Sequence, residues 1–133
     1  SGRLGGSLVG RHFNFQPRLA QGRWLVTNFP VHAMMDLSDG LAKDLPRLAG
    51  AAGLGFQVDM DALPRHRGVS SRQAWADGAD YELLVAVPPG AVAALLRRWK
   101  ARFPRIPLTQ IGRLVAKEDA MNAPAGGWDH FKA

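Results

Sequence analysis

The stretch of the sequence with the clearest potential for chemistry is DLSDG, residues 36–40, where two carboxylates and a hydroxyl follow an apolar run and precede a helical pattern. In a strand that leads into a helix, Asp36 and Ser38 project to the same side and Asp39 turns back toward them. These oxygens suit Mg²⁺, which takes one or two carboxylates and completes its shell with water and phosphate. Gly40 and the free amides at the helix start favour a nearby anion. The spacing predicts a magnesium and phosphate site.

A purely structural alternative exists for the same residues. Ser38 or Asp39 could be the N-cap of the following helix, because serine and aspartate are both favoured at that position. A cap does not need three oxygen ligands, and capping by Ser38 or Asp39 does not explain the carboxylate of Asp36 at the end of the apolar run. Both interpretations stay open on the sequence alone.

The elements that must position these residues follow from hydrophobic periodicity. Apolar residues recur at helical spacing in four segments, 17–28, 41–52, 71–76 and 92–103, and at strand spacing in four others, 31–36, 55–59, 80–87 and 108–115. This alternation predicts a single domain over 1–133 with an α/β (α+β) sandwich fold, in which helices pack on a mixed sheet of about four strands. In the third strand both Leu83 and Leu84 are apolar, so both of its faces are expected to be covered.

Composition narrows the class of protein. The chain has 133 residues, of which 47% are hydrophobic and 21% charged, as in ordinary globular domains. It contains no cysteine and no apolar run near the roughly 20 residues of a membrane span, so we expect a cytoplasmic protein that does not enter membranes. The net charge of +6 fits an anionic partner, and the alternative is that the basic residues 97–102 only form the solvated outer face of one helix. Nucleic acid is not favoured, because the sequence carries no signature of a known nucleic-acid-binding module.

A second glycine-rich stretch, RLGGS at residues 3–7, lies near the start of the chain. It could cradle a phosphate, but it lacks the length and the lysine of a P-loop. We interpret it as a linker between domains.

Five motifs occur in one order along nearly the whole chain and together resemble a known family. The resemblance is to the C-terminal half of thiamine-monophosphate kinases, of the superfamily that includes aminoimidazole-ribonucleotide synthetase and selenophosphate synthetase, and it implies the fold of that superfamily's C-terminal domain. The motifs are SGRLGGS (1–7), AMMDLSDGLAKDL (33–45), AAGLGFQVDMDALP (51–64), DGADYELLVAVP (77–88) and GGWDHF (126–131).

The resemblance implies a Mg²⁺-dependent transfer of the γ-phosphoryl group of ATP to thiamine phosphate, which yields thiamine diphosphate. On matching positions, Asp36 and Asp39 would be Mg²⁺ ligands and Ser38 would contact ATP. Trp128 would lie against the thiamine moiety, where a cationic ring gains about 0.5 to 2 kcal/mol from an aromatic face. The alternative for Trp128 is an aromatic residue that fixes the C-terminus to the domain.

The resemblance covers only one half of the family's architecture. The family's N-terminal half supplies most nucleotide and metal ligands and the dimer interface, and no part of these 133 residues matches it. We therefore expect the C-terminal half of a two-domain kinase, whose partners are its own N-terminal half and, in full-length form, a second copy. The isolated half is expected to be inactive.

One position departs from the family pattern. In the family motif GGEDYEL an acidic residue that binds substrate precedes the Asp-Tyr pair, and here Ala79 occupies its place. Losing a hydrogen bond to a charged group costs about 1.5 to 3 kcal/mol. Asp77 or Asp80 could take over the substrate contact, or Asp80 and Glu82 could be structural. If neither aspartate takes it over, the phosphoryl acceptor differs or the protein has lost the reaction. A separate alternative is a non-catalytic module that keeps the fold and binds an anionic partner through its Arg-rich helix.

Overall fold

The computed structural model of the chain describes residues 1–127. It contains four helices, α1 (Leu19–Asn28), α2 (Leu41–Ala51), α3 (Ser71–Ala76) and α4 (Val92–Arg102), and four strands, β1 (Ala33–Asp36), β2 (Gly55–Val58), β3 (Leu83–Ala86) and β4 (Gly112–Val115). Short 3-10 turns lie at Ser7–Val9, Arg11–Phe13, Pro89–Ala91 and Lys117–Asp119. The predicted α/β class and the predicted order of the elements are confirmed. None of the helices within residues 1–127 has the length and apolar character needed to cross a membrane.

The four strands do not form the single mixed sheet that the alternation predicts. β1 pairs antiparallel with β3, with Asp36 opposite Leu83, and β2 pairs antiparallel with β4, with Gly55 opposite Val115. An apolar groove of about 610 Å³ is lined by residues of both two-stranded sheets. The prediction of one sheet was wrong because alternation identifies a strand but contains no information about its partner.

Two hydrophobic clusters lie on opposite faces of the β1–β3 sheet. The first joins α2 and α3 to β2 and β4, and Leu84 packs against it. The second joins α1 to α4, and Leu83 and Val85 pack against it. Apolar side chains therefore pack on both faces of the third strand, as predicted, but its four residues are only half-buried because they also line the groove.

Candidate functional site

The DLSDG segment lies at the junction between β1 and α2, as predicted. Asp36 is the last residue of β1 and is exposed, whereas Leu37 is buried beneath it. Ser38 and Asp39 are partly buried in the short connection to α2. The buried leucine anchors the connection in the first cluster and leaves the flanking carboxylates at the surface.

Within the described residues, no side chain caps the N-terminus of α2. The N-cap residue is Gly40, and the helix begins at Leu41. The capping alternative for Ser38 and Asp39 is therefore wrong. Instead the amide of Asp39 donates a 3.0 Å hydrogen bond to Oδ2 of Asp44, inside the first turn of the helix.

Asp39 belongs to a small charged cluster at the start of α2. Its Oδ2 accepts a hydrogen bond from Arg47 at 2.5 Å, and the same guanidinium nitrogen lies 2.9 Å from Oδ1 of Asp44. Asp44 is fully buried, and burial raises the pKa of its carboxyl group, while the Asp39 amide and Arg47 favour its charged form. A cation bound at Asp39 would therefore share that carboxylate with Arg47.

Gly40 is required by the backbone. It has φ +95° and ψ 156°, a conformation open essentially to glycine alone, and a Cβ there would fall on the carbonyl group of Asp77. The direct role of Gly40 in the structure is thus a close contact between two loops. Its predicted role in the approach of a phosphate stays a prediction.

The second loop, residues 77–82, is bonded to the first through three backbone hydrogen bonds. Ala79 donates to the carbonyl of Ser38 at 2.8 Å, Tyr81 donates to that of Leu37 at 2.8 Å, and Leu37 donates to that of Glu82 at 2.9 Å. Ala79 and Tyr81 have φ values of 58° and 51°, which are uncommon for residues other than glycine. Such conformations persist where the surrounding contacts determine them, and they cluster at functional sites.

The glycine-rich stretch at residues 3–7 packs against the second loop. The amide of Gly6 donates to Oδ1 of Asp80 at 2.8 Å, and the hydroxyl of Ser7 donates to Oδ1 of Asp77 at 2.5 Å. Its backbone and side-chain donors therefore bond to carboxylates of this domain, and its interpretation as a linker between domains stays a prediction. Glycine permits this close approach of the backbone, and no local pattern identifies the carboxylates that its amide meets.

Asp80, predicted as a substrate contact, is buried with 0% of its surface exposed. Within the described residues its Oδ2 has no hydrogen-bond partner. Burial raises the pKa of Asp80, and the nearby charges of Asp77 and Glu82 raise it further. The hydrogen bond from the Gly6 amide lowers the pKa but does not offset these effects, and the resulting pKa is about 7. These features favour the structural alternative for Asp80 over contact with a ligand that arrives from solvent.

The raised pKa of Asp80 predicts a dependence of stability on pH. Between about pH 4 and pH 7 the folded chain retains a proton that the unfolded chain has lost, so stability falls as the pH rises through this window, by an amount on the order of 4 kcal/mol. Replacing Asp80 by asparagine should make this fall smaller, whereas the same change at the exposed Asp61 should leave it unaltered. Urea unfolding at pH 5 and pH 7 measures the difference. An unchanged pH dependence in Asp80→Asn would contradict the assignment.

Glu82 is also 0% exposed and forms an ion pair with Arg18. Nε of Arg18 donates to Oε2 at 2.7 Å and Nη2 donates to Oε1 at 2.7 Å, a two-pronged contact that raises the pKa of Arg18. Burial and pairing favour the structural alternative for Glu82. Sequence reasoning missed Arg18, because the two residues lie 64 positions apart and no local pattern links them.

The carboxylates of the first loop are of the chemical type that Mg²⁺ takes as ligands. Among residues 1–127, no group of three or more histidine, aspartate or glutamate side chains could hold a metal ion by itself. Mg²⁺ is nevertheless commonly held by one or two carboxylates with water and phosphate oxygens as the remaining ligands, which is the donor set that Asp36 and Asp39 offer. Trp128, predicted to contact the substrate, lies outside the described residues.

Comparisons with known proteins assign this fold and these motifs to a family. The family model of AIR synthase related protein, C-terminal domain, matches residues 3–121. Curated thiamine-monophosphate kinases from Rhodopirellula baltica, Halobacterium salinarum and Salmonella typhimurium are 32%, 36% and 34% identical over 88%, 89% and 93% of this chain. The chain spans 39%, 42% and 42% of their lengths, about two fifths of each.

Solved structures agree with the sequence matches. The structure of AaThiL complexed with AMPPCP and TMP superposes with a TM-score of 0.69 at 27% identity, over 94% of this chain and 41% of that one. Thiamine-monophosphate kinase from Stenotrophomonas maltophilia superposes with a TM-score of 0.65 at 31% identity, over 76% and 33%. The predicted resemblance to the C-terminal part of these kinases is thereby confirmed. The chain belongs to the family of AIR synthase related proteins, C-terminal domain.

Proposed function

We propose that the chain is the C-terminal part of a kinase that transfers the γ-phosphoryl group of ATP to thiamine phosphate. The observation that carries the proposal is the similarity to thiamine-monophosphate kinases along about nine tenths of the chain, DLSDG junction included. The related AaThiL was solved with AMPPCP, an ATP analogue, and TMP. Below, the full-length protein means this chain together with a part that corresponds to the remaining three fifths of its relatives' length.

In this proposal the chain's own residues position the phosphates. Asp36 and Asp39 would hold Mg²⁺, and Ser38 between them would contact ATP. Phosphoryl transfer asks a protein mainly to align the reactants, a task suited to a loop that is bonded at both ends to a rigid core. When bound, Mg²⁺ would neutralise charge on the phosphates. Trp128 would be placed against the thiamine moiety.

The rest of the full-length protein would complete the site. Its N-terminal part would face Asp36 and Asp39 and supply the other nucleotide and metal ligands, and the full-length protein would be a cytoplasmic homodimer.

A comparison of the kinase activity of the full-length protein with that of the isolated chain tests the proposal. We expect the full-length protein to form thiamine diphosphate from thiamine phosphate, ATP and Mg²⁺, and the isolated chain to fold without measurable turnover because one wall of the cleft is missing. Circular dichroism establishes folding, and chromatographic detection of thiamine diphosphate measures turnover. Turnover by the pure isolated chain would overturn the two-part site, and an inactive but folded full-length protein would overturn the kinase proposal.

A different phosphoryl acceptor is the second candidate, and Ala79 favours it. Its methyl group stands where the family has an acidic residue that binds substrate, and the neighbouring Asp80 is buried. The two candidates are separated by measuring kcat/KM of the full-length protein with thiamine phosphate and with other phosphorylated alcohols. A higher kcat/KM for another acceptor would favour the second.

A further inference from the structure

Two of the acidic residues near the candidate site face the interior of the protein. Asp80 and Glu82 flank Tyr81 at the entrance to β3, and both are 0% exposed. A side chain without exposed surface does not meet a substrate that approaches from solvent. Their role must therefore be sought in the contacts they make within the chain.

Glu82 connects three parts of the fold at one residue. Its side chain is held by Arg18, the residue before α1, in the two-pronged ion pair. Its backbone carbonyl accepts the hydrogen bond of Leu37 at 2.9 Å. A Cβ on Gly2 would fall on its carboxylate, so the residue just before the glycine-rich stretch also packs directly against it. The position of Glu82 is thus determined from two sides, and Leu37 follows it.

Asp80 plays the equivalent part on the other side of Tyr81. Its Oδ1 accepts the amide of Gly6, which fixes the residue between Ala79 and Tyr81. Both of these neighbours have left-handed backbones, and their amides hold the carbonyls of Ser38 and Leu37. Left-handed conformations at two non-glycine residues persist only while surrounding contacts enforce them. The bond between Asp80 and Gly6 is the side-chain contact placed between them.

We infer that Asp80 and Glu82 are positioning residues for the DLSDG loop. They hold residues 79–82 in the strained conformation whose backbone bonds set the orientation of Leu37 and Ser38, and thereby the directions of Asp36 and Asp39. What the loop binds rests on the proposed function. The coupling between the two loops does not depend on it. It replaces substrate contact as the role of Asp80.

Hydrogen exchange in the full-length protein tests the coupling without any assay of activity. In Glu82→Ala and Asp80→Ala we expect at least about tenfold faster exchange of the amides of Leu37, Ala79 and Tyr81, because each of these bonds depends on the positioned loop. The conservative variant Asp80→Asn retains an acceptor for Gly6 and should exchange like the wild type. Leu95→Ala is the control for general destabilisation, since Leu95 is buried in the second cluster on α4.

Kinetics of the same variants separate positioning from substrate contact. For Glu82→Ala and Asp80→Ala we expect the Mg²⁺ concentration at half-maximal rate to rise at least about tenfold, with less than about a threefold change in the KM for thiamine phosphate. A substrate contact at Asp80 would give the opposite pattern. Should an alanine variant not fold, Glu82→Gln takes its place, since it retains the shape but weakens the pairing with Arg18.

The outcomes distinguish this inference from the proposed function. Wild-type exchange rates in the folded alanine variants, or equal acceleration in Leu95→Ala, would overturn the positioning role even if the protein is an active kinase. A full-length wild type that does not phosphorylate thiamine phosphate would overturn the proposed function. In that case the exchange rates still decide whether Asp80 and Glu82 position the loop.

Discussion

Asparagine in place of either Asp36 or Asp39 is expected to lower the turnover of the full-length protein by at least about 100-fold, because each change removes a charged ligand from the proposed Mg²⁺ site. The fold should be little affected. Asp36 is exposed at the end of β1, and the pair between Asp39 and Arg47 is partly exposed, so the free energy of unfolding should change by less than about 1 kcal/mol. Steady-state kinetics and urea unfolding of the same preparations measure the two quantities.

Asp61→Asn is the matched control for this prediction. Asp61 is an exposed carboxylate in the loop after β2, so its replacement makes the same change in charge without touching the β1–α2 junction. Its turnover should equal that of the wild type. If Asp36→Asn and Asp39→Asn lost activity only in proportion to stability, the oxygens would be structural and the site assignment would be wrong.

Alanine at Gly40 is expected to destabilise the chain by at least about 3 kcal/mol. The backbone of Gly40 is in a region essentially restricted to glycine, and the new Cβ would fall on the carbonyl of Asp77, part of the rigid loop–loop contact. Relief of this clash would require the loops to separate, so the hydrogen bond between Ala79 and Ser38 should break as well. Urea unfolding of the chain gives the change in stability.

Gly50, inside α2, supplies the control for the Gly40 substitution. It lies in the exposed part of α2, and a Cβ there would have no neighbour within 4 Å. Gly50→Ala should therefore raise stability by about 0.5 to 1 kcal/mol through helix propensity. A Gly40→Ala variant as stable as the wild type would show that the two loops are not in close contact.

Local patterns account for the parts of the fold that sequence predicted. Leu83, Leu84 and Val85 are consecutive apolar residues, and successive side chains of a strand point to opposite faces. The run therefore predicted a strand with apolar contacts on both faces, which the two clusters supply. The apolar run before Asp36 and the helical spacing after Gly40 located the β1–α2 junction. These signals are local in the chain, and therefore one sequence is enough to detect them.

Long-range pairing explains what the sequence did not reveal. The ion pair between Arg18 and Glu82 and the bond between Gly6 and Asp80 join residues 64 and 74 positions apart. Acidic residues beside a predicted ligand loop suggest ligand contact, and only the fold shows that Asp80 faces inward. The pairing of strands into two sheets is long-range information of the same kind.

The central claim is that Asp36 and Asp39 hold a divalent cation that carries polyphosphate. Crystals of the full-length protein grown with Mn²⁺ and AMPPCP test it directly, because Mn²⁺ replaces Mg²⁺ at oxygen sites and scatters anomalously. We predict an anomalous peak about 2.1 Å from a carboxylate oxygen of each of the two residues, with phosphate oxygens completing the shell. Peaks elsewhere, with Asp36 facing solvent and Asp39 still paired with Arg47, would contradict the claim.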